Sequence, residues 1–371
     1  MNTAPLFEIL LVTAPGLEAP LRAEAIENGF RAPKVIKGGV TIKGTWAEVW
    51  RAHLQLRGAS RILVRIGAFR AMHLAQLDKR ARRLPWNEIL KVDEPVHVEA
   101  TCKGSRIYHA KAAAQRISTA IQAERGAPLS PDAGVRIKAR IDDDLCTISI
   151  DTSGEALHKR GHKQAVAKAP MRENMAALFL RLCGYNGKEP VVDPMCGSGT
   201  FIIEAAEIAA GLNPGRSRHF AFEKLATFDQ DAWSTLCTDR ERPPPSARFH
   251  GSDRDAGAIR MSTANAEQAG VSEITTFQRQ PISDVAPPDG PCGLVIINPP
   301  YGSRIGKKKP LFALYNRLGQ TLLERFSGWR VGLITDTDSL AQATRLPFAT
   351  ETTAVSHGGL RIQLYRTDAL P

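Results

Sequence analysis

The pattern of apolar and polar positions predicts alternating strands and helices along the whole chain. In the second half, strands are predicted at 190–193, 246–253, 274–278 and 292–297, and the last is an almost unbroken β-branched run, as in a central parallel strand. Residues 212–246 are longer than a crossover requires and predict an insertion on the rim of this sheet. The other elements predicted here are helices at 171–184, 200–211, 256–269 and 311–326 and strands at 329–335 and 350–366.

The first half shows the same alternation and predicts a small α/β module. Its predicted strands cover residues 6–12, 34–43, 61–69, 96–102, 135–141 and 145–151. Its predicted helices cover residues 16–29, 45–56, 74–84 and 110–125. These elements suit nucleic-acid binding but do not specify it.

The positive charge is concentrated in the first half. Of the formal net charge of +11, nearly all lies in residues 1–170, which carry 27 Lys and Arg against 17 Asp and Glu, whereas residues 171–371 carry 22 against 21. A basic module joined to a near-neutral α/β module is typical of a polyanion-binding part attached to a catalytic part. A basic surface without a binding role is the alternative that composition leaves open.

Composition excludes several other classes of protein. The six cysteines are scattered without a C-x-x-C pair, so we expect neither a disulfide framework nor a zinc site, and no metal. The sequence has no run of about 18 apolar residues and no basic-then-apolar N-terminus, so we expect no membrane segment and a cytoplasmic location. A chain of 371 residues is long enough for more than one domain.

A strand, a glycine-containing turn and a helix follow one another at residues 191–211. The strand ends at Asp193, and the turn carries Gly197 and Gly199, which would let a ligand approach the backbone at a helix N-terminus. Position 202 is Ile, so the third glycine of a dinucleotide loop is missing, and no phosphate-loop lysine follows. The Asp193 carboxylate would repel a pyrophosphate but can accept a hydrogen bond from an ammonium group. We therefore expect the loop to bind a cationic nucleoside without phosphates. An ordinary strand–turn–helix is the alternative.

The run at 292–297 is followed by Asn298-Pro299-Pro300-Tyr301. Two consecutive prolines fix φ and leave carbonyls without adjacent N–H groups, which makes a rigid corner rich in acceptors. An exocyclic amino group of a base is a poor nucleophile, because its lone pair is delocalised. If the Asn298 side-chain oxygen and the Pro299 carbonyl accept its hydrogens, the nitrogen moves toward tetrahedral geometry, and the Tyr301 ring can stack on a flipped base. We predict catalytic roles for all four residues; a turn with nothing bound is the alternative.

Together the two motifs resemble those of class I S-adenosylmethionine-dependent methyltransferases that act on amino groups. The resemblance implies a Rossmann-like domain with a seven-stranded, mostly parallel sheet and S-adenosylmethionine as cofactor. It also implies that Asp253 accepts from the ribose hydroxyls and Asp284 from the adenine amino group, although Asp284 could instead cap a turn. We expect Asp255 to cap the next helix. The cofactor-binding residues that the resemblance implies are Asp193, Pro194, Cys196, Gly197, Ser198, Gly199, Thr200, Asp253, Asp284 and Asn298.

The first half resembles the RNA-binding part of RNA-modifying enzymes. Residues 59–155, with the loop Lys103-Gly104-Ser105-Arg106-Ile107-Tyr108-His109, look like a THUMP domain, and residues 1–58 look like its ferredoxin-like companion. A basic linker at 156–170 leads into a methyltransferase domain at 171–371. Tyr108 could stack on an unpaired base or pack beside the following helix. The residues for which RNA contacts are predicted are Lys103, Arg106, Tyr108, Lys159, Arg160, Arg304, Lys307 and Lys308.

This order of modules resembles RNA guanine-N2 methyltransferases, above all the bacterial large-subunit rRNA enzymes, in the form with a single methyltransferase domain. The resemblance implies methyl transfer to N2 of a guanosine in 23S rRNA, with RNA as the partner. Guanosine in tRNA is the first alternative, and adenine N6 in DNA is a weaker one. The tetrapeptide alone would also allow a glutamine amide in a protein. A non-catalytic RNA-binding protein would leave both intact motifs unexplained.

Overall fold

The computed structural model describes residues 6–161, 171–238, 243–301, 308–357 and 359–371, so positions 162–170 of the predicted linker lie outside the described residues. The chain forms two compact units. The N-terminal unit contains residues 6–13, 22–157 and 218–238. The C-terminal unit contains residues 14–21, 158–161, 171–217 and the described residues from 243 onward.

The N-terminal unit is built on a seven-stranded sheet. Its strands are β1 (Phe7–Val12), β2 (Arg31–Ile36), β3 (Gly39–Gly44), β4 (Arg61–Arg70), β5 (Val96–Lys103), β6 (Val135–Asp142) and β7 (Leu145–Asp151). The strand order is β2-β3-β1-β4-β7-β6-β5, and every neighbouring pair is antiparallel except β5 and β6. Burial alternates along β6, so one face of the sheet packs on the core and the other carries polar side chains.

The bounds of the longest helix in the first half follow local capping signals. The predicted helix at 110–125 is confirmed, because the His109 ring accepts from the Ala112 N–H (3.4 Å) and Gly126 ends the helix with a φ of +74°. A short helix at 86–89 was not predicted. The helices up to residue 157 are α1 (Glu18–Glu27), α2 (Trp46–Gln55), α3 (Leu74–Ala81), α4 (Trp86–Ile89) and α5 (Ala110–Arg125).

The C-terminal unit contains a second seven-stranded sheet, which is mostly parallel as predicted. Its strands are β8 (Val191–Asp193), β9 (Phe249–Asp253), β10 (Thr275–Arg279), β11 (Leu294–Ile297), β12 (Arg330–Thr335), β13 (Thr353–His357) and β14 (Leu360–Arg366). The order is β10-β9-β8-β11-β12-β14-β13. The first five strands are parallel, β14 runs antiparallel to β12, and β13 runs antiparallel to β14.

Helices cover the strands of this second sheet. On the longest of them, Tyr315, Leu318 and Leu322 recur at helical spacing and are buried in a core cluster with strand residues. None of the helices in the part of the chain that the structure describes has the length and apolar content needed to cross a bilayer. The helices after residue 157 are α6 (Glu173–Leu182), α7 (Thr200–Ala209), α8 (Gln230–Cys237), α9 (Ala256–Ala269), α10 (Lys308–Arg325) and α11 (Asp338–Ala343).

Residues 218–238 belong to the N-terminal unit, although they follow the glycine loop in sequence. Phe220 and Phe222 stack on each other (5.1 Å between ring centroids), and both rings lie edge-on to His53 and to Trp233. Burial lowers the pKa of His53 to about 3, so this imidazole is neutral within the aromatic cluster. The predicted rim insertion is therefore wrong for these residues, because their aromatic side chains bury apolar surface against the N-terminal unit.

Candidate active site at the carboxyl edge of the parallel sheet

Neighbouring parallel strands end at the same edge of the C-terminal sheet. β8 ends at Asp193 and pairs with both β9, which ends at Asp253, and β11. Asn298 directly follows β11, and Asp336 directly follows β12. The carboxyl ends of parallel strands in open α/β sheets form the edge where ligands bind. The glycine loop and the Asn-Pro-Pro-Tyr corner therefore meet at one edge.

Backbone hydrogen bonds attach the glycine loop to the end of β9. The Cys196 N–H donates to the Ser252 carbonyl (2.9 Å), and the Gly197 N–H donates to the Asp253 carboxylate (3.1 Å). The Gly199 N–H closes the turn on the Cys196 carbonyl (2.8 Å). The loop thus has a defined conformation that does not depend on a ligand.

Gly197 and Gly199 both adopt positive φ, at +53° and +82°. At Gly199 an added Cβ would lie 2.9 Å from the Ser262 Cβ on α9 and 3.2 Å from the Phe277 ring on β10. We expected the missing Cβ to leave room for a ligand. At Gly199 it instead leaves room for packing inside the unit, so this glycine is required by the fold itself.

Asp193 is a buried acid beside a second acid. The residue is 2% exposed, and its carboxylate accepts a hydrogen bond from the Met195 N–H (3.0 Å). Burial raises the pKa of Asp193 to about 8, although the Met195 N–H lowers it in part and the charge of Asp253 raises it further. Among the described residues no cation contributes to this pKa. A positively charged ligand group would favour the ionised carboxylate.

Asp253 and Asp255 have different contacts. The two carboxylate oxygens of Asp253 accept from the Gly197 N–H (3.1 Å) and the Asp255 N–H (2.9 Å). The Asp255 carboxylate accepts from the Gly257 N–H (2.7 Å) and caps α9, which confirms the predicted cap. Each oxygen of Asp253 retains acceptor capacity, which hydroxyl groups of a ligand can use.

Asn298 carries an acceptor without a partner. Its Oδ1 is buried and has no hydrogen bond within the part of the chain that the structure describes. Leaving such a group unsatisfied costs roughly 1–3 kcal/mol, so a native protein that retains one has a reason to do so. The next residue, Pro299, is buried and has no N–H to offer. A donor from a ligand would satisfy the Asn298 oxygen.

Tyr301 is half-buried and packs against the hydrophobic core, as does Met195 of the glycine loop. Burial raises the pKa of Tyr301 to about 12, and the charge of Asp336 adds to the increase. The phenol is therefore protonated at neutral pH and cannot act as a base there. Its aromatic ring is the part available for binding a flat ligand.

Asp284 lies after the outermost strand, β10, at the end of the 3-10 turn Ile282–Asp284. Its carboxylate accepts from the Ser283 hydroxyl (2.9 Å), and the residue is exposed. A carboxylate that can reach solvent can also reach a ligand. Both interpretations of Asp284, contact with an adenine amino group and turn capping, stay predictions.

The predicted RNA contacts of the N-terminal unit share one loop. Lys103 ends β5, and Arg106 and Tyr108 follow before α5. Tyr108 is 83% exposed, so it does not pack beside the helix. The Arg106 N–H donates to the Asp144 carboxylate (2.7 Å), and its Nη1 lies 3.6 Å from the Met72 Sδ. The loop is thus attached to the turn between β6 and β7.

Arg160 does not lie on the surface. Its guanidinium forms an ion pair with Glu204 of α7 (3.2 Å), and both side chains are 1% exposed. The predicted phosphate contact does not fit this position, because a buried, paired guanidinium cannot reach a polyanion. The adjacent Lys159 is exposed. The predicted contacts outside the described residues are Arg304, Lys307 and the side chain of Lys308.

Two further residues at this edge were not predicted. Asp336 follows β12 next to the Asn298 corner, and the rule that selected Asp193 from its strand end would also have selected Asp336. Ser252 is 4% exposed, and its Oγ has no partner among the described residues. Its only sequence signal is its place just before Asp253. Ser252 therefore offers the edge a second unsatisfied polar atom.

Comparison with known proteins supports a methyltransferase. An RMKL-like methyltransferase domain matches residues 160–365, and an RlmL ferredoxin-like domain matches residues 8–63, which confirms the ferredoxin-like module. The ribosomal RNA large subunit methyltransferase K/L of Psychromonas ingrahamii is 34% identical over 345 residues, which are 89% of this chain and 46% of the relative. The chain thus spans about half the length of this curated relative.

Solved structures with the same architecture cover both units. SMU.472, a candidate methyltransferase complexed with S-adenosylhomocysteine (SAH), is 27% identical with a TM-score of 0.87 over 100% of both chains. A predicted N6-adenine-specific DNA methylase from Listeria monocytogenes is 28% identical with a TM-score of 0.86 over 99% of this chain and 97% of the other. From the domain match and the fold, this chain belongs to the RMKL-like family of S-adenosylmethionine-dependent methyltransferases.

Proposed function

We propose that the protein transfers a methyl group from S-adenosylmethionine to the exocyclic N2 of a guanosine in RNA, with 23S rRNA as the favoured substrate. The observation that carries this proposal is the buried Oδ1 of Asn298, which has no partner among the described residues and adjoins a proline pair at the edge that also holds the buried acid Asp193. Within the described part of the chain, the Asn298 oxygen has no donor and no cation contributes to the pKa of Asp193, and this combination at one sheet edge suits an amine substrate and a cationic cofactor.

The residues present fit S-adenosylmethionine. When bound, this cofactor supplies an electrophilic methyl group on a sulfonium, and it also carries an ammonium group and a ribose. Asp193 is the acid that an ammonium group would ionise, and the unused acceptor capacity of Asp253 suits ribose hydroxyls. The residues that we assign to holding the cofactor are Asp193, Pro194, Cys196, Gly197, Ser198, Gly199, Thr200, Asp253, Asp284 and Asn298.

The corner at Asn298 activates the amine by accepting its hydrogens. The Asn298 Oδ1 and the Pro299 carbonyl each accept one N–H of the amino group, which draws the lone pair out of conjugation and aims it at the methyl carbon. When bound, S-adenosylmethionine would supply the methyl group and leave as the neutral thioether, and the nitrogen that receives the methyl group would lose one proton to water. Tyr301 holds the base by stacking, and its protonated phenol takes no part in the proton transfer.

Residues of the N-terminal unit support RNA as the substrate. The loop with Lys103, Arg106 and Tyr108 combines cations with an aromatic ring that is 83% exposed, which suits phosphates and unpaired bases. We assign residues 59–155 to a THUMP-like RNA-binding domain. The name of the Psychromonas relative, an rRNA large-subunit enzyme, favours rRNA over tRNA.

The experiment that tests this function identifies the methylated nucleoside. Purified protein is incubated with isotope-labelled S-adenosylmethionine and, separately, with transcribed 23S rRNA, tRNA or duplex DNA, and each product is digested and analysed by mass spectrometry. We expect N2-methylguanosine from 23S rRNA. N6-methyladenine in DNA would contradict the proposal and would agree with the name of the Listeria protein, whereas labelled guanosine in tRNA alone would make tRNA the substrate.

Two variants control this assay. Asn298→Ala should label the nucleoside at least about 100-fold more slowly than wild type. Asn186→Ala removes an exposed amide elsewhere in the same unit and should label as the wild type does.

A further inference from the structure

The side chain of Tyr315 connects the Asn-Pro-Pro-Tyr corner (residues 298–301) to the end of β12. This residue of α10 is 0% exposed, and its phenol oxygen lies 3.3 Å from the Pro300 carbonyl and 3.3 Å from the Thr335 Oγ1. Thr335 is the last residue of β12 and is also 0% exposed. A hydroxyl can donate one hydrogen bond and accept another. The Tyr315 hydroxyl can therefore donate to Pro300 while it accepts from Thr335.

The Asn-Pro-Pro-Tyr corner needs a contact of this kind to hold its backbone, because it lies beyond the last paired residue of β11. The ladder between β11 and β12 ends at Ile297 and Leu333, so no strand pairing holds the peptide groups that follow. Pro299 and Pro300 fix φ but cannot donate hydrogen bonds, and rotation about ψ would still turn their carbonyls. The Tyr315 hydroxyl bonds the far end of this short segment, whereas the β11 ladder holds its near end. The Pro299 carbonyl between them then has little freedom.

The position of Tyr315 is itself fixed by packing. Leu318 and Leu322, one and two turns further along α10, are buried in the same core cluster. An added Cβ on Gly319 would lie 1.8 Å from the Thr344 carbonyl oxygen, so α10 is pressed against the backbone after α11. α10 therefore cannot move toward the backbone at Thr344, and the Tyr315 phenol stays within hydrogen-bonding distance of the Pro300 carbonyl.

We propose that Tyr315 is a positioning residue for methyl transfer: its hydroxyl, held by Thr335, fixes the Pro300 peptide and thereby aims the Pro299 carbonyl and the Asn298 Oδ1 at the amine. This inference rests on the proposed role of Asn298 and Pro299. It adds a residue that touches neither substrate nor cofactor and that acts through the backbone of the corner.

The test compares Tyr315→Phe with Tyr185→Phe. Tyr185 is also buried in the C-terminal unit, and its phenol also donates to a backbone carbonyl, that of Ala205 (2.8 Å), away from the corner. We expect kcat of Tyr315→Phe to fall roughly 10- to 100-fold, because small misplacements of reacting groups have effects of this size. The KM for RNA and the Kd for SAH should stay within about twofold of wild type, because binding contacts are untouched. Tyr185→Phe should keep its kcat.

Hydrogen exchange gives a readout that does not depend on activity. In the protein without cofactor, exchange in the peptide 294–301 should be faster in Tyr315→Phe than in wild type and unchanged in Tyr185→Phe. If wild type methylates no nucleic acid, the proposed function fails, and this exchange result still decides the positioning claim. Equal exchange in both variants, or an unchanged kcat in Tyr315→Phe, would overturn the inference.

Thr335→Val supplies a second variant that leaves the tyrosine ring in place. We expect a smaller loss of kcat than in Tyr315→Phe, and no further loss when the two substitutions are combined, since both act through one hydroxyl. Losses that multiply in the double variant would show two independent effects and would contradict the chain of contacts from Thr335 to Pro300.

Discussion

The two seven-stranded sheets place their charged side chains differently. On the polar face of the N-terminal sheet, Glu99 of β5 lies between Arg136 (2.8 Å) and Lys138 (2.7 Å) of β6, and all three are partly exposed. Although partial burial raises it, hydrogen bonds from Lys138 and Arg136 bring the pKa of Glu99 below its ordinary value. In the C-terminal sheet, Asp193 lies at a strand end, is 2% exposed and has its pKa raised to about 8.

The difference follows from sheet architecture. A largely antiparallel sheet can leave one face in water, so charges spread along its strands and pair across them. Parallel strands such as β11 are buried on both faces, so polar groups collect where the strands end. The charged side chains on the first sheet are therefore screened by water and have little effect on stability. The polar side chains at the strand ends of the second sheet are buried, so their electrostatic interactions with a ligand are stronger.

The largest expected effect comes from removing the amide at the catalytic edge. Asn298→Ala should lower kcat by about 10²–10³-fold, the usual cost of losing one oriented polar group in an active site. The thermal unfolding midpoint should not fall, because the Oδ1 has no protein partner to lose among the described residues and its unsatisfied burial is relieved. Single-turnover kinetics and calorimetry measure the two quantities, with Asn186→Ala as control. A variant with most of its rate would contradict the assigned role.

Gly126 and Gly199 allow the cost of backbone strain to be distinguished from the cost of a steric clash. Gly126, after α5, and Gly199, before α7, have similar φ values of +74° and +82°, but only at Gly199 would a Cβ meet other atoms. Gly126→Ala should destabilise by about 1 kcal/mol from backbone strain alone. Gly199→Ala should cost about 2–4 kcal/mol and weaken SAH binding, because Ser262 and Phe277 must shift. Chemical unfolding and calorimetric titration test this; equal costs would reject the packing explanation.

The raised pKa of Asp193 predicts a pH dependence. The unfolded chain loses this proton near pH 3.9, whereas the folded, ligand-free protein keeps it until about pH 8. The folded state therefore holds the extra proton between these values, and its stability falls as pH rises through this window. Asp193→Asn should remove that decline, as followed by unfolding midpoints at several pH values, whereas the exposed Asp368→Asn should not.

The same proton should leave when the cationic cofactor binds. Calorimetry of S-adenosylmethionine binding at pH 7 in buffers of different ionisation enthalpy should show proton release in wild type and less in Asp193→Asn. No proton release in wild type would mean that the ammonium group does not face Asp193.

The smallest effect is expected on the polar face of the N-terminal sheet. Glu99→Gln should change the free energy of unfolding by less than about 1 kcal/mol, since partly exposed ion pairs contribute little and salt screens them. The kcat should not change. Unfolding curves at low and high salt would measure the difference. A loss of several kcal/mol would contradict the contrast between the two sheets.

Local signals predicted much of the fold. The helices at 110–125 and 256–269 were predicted with their observed bounds, because Gly126, Gly270 and the cap Asp255 mark their ends. The packing of residues 218–238 was not predictable from local periodicity. Their aromatic partners, such as His53, lie in a different part of the sequence, and the length of the segment and a run of prolines nearby predicted an insertion on the rim of the sheet.

The site was predictable where polar residues lie at strand ends. Asp193 and Asn298 each follow a β-branched run, and Asp253 ends the neighbouring strand β9, so the sheet topology brings the three together. Tyr315 was not predictable, because a tyrosine in the apolar stripe of a helix is indistinguishable from core until its hydroxyl has a partner. For Arg160 the prediction of a surface RNA contact was wrong. Its place in a basic linker indicated an exposed cation, whereas its burial beside Glu204 depends on tertiary packing that the local sequence does not show.

The central claim is that the glycine loop and the Asn298 corner form a single site, and a crystal structure of the protein with SAH tests it most directly. We predict that the ribose hydroxyls contact Asp253 and that the sulfur faces Asn298 and the Tyr301 ring. A nucleoside bound away from both would contradict the claim.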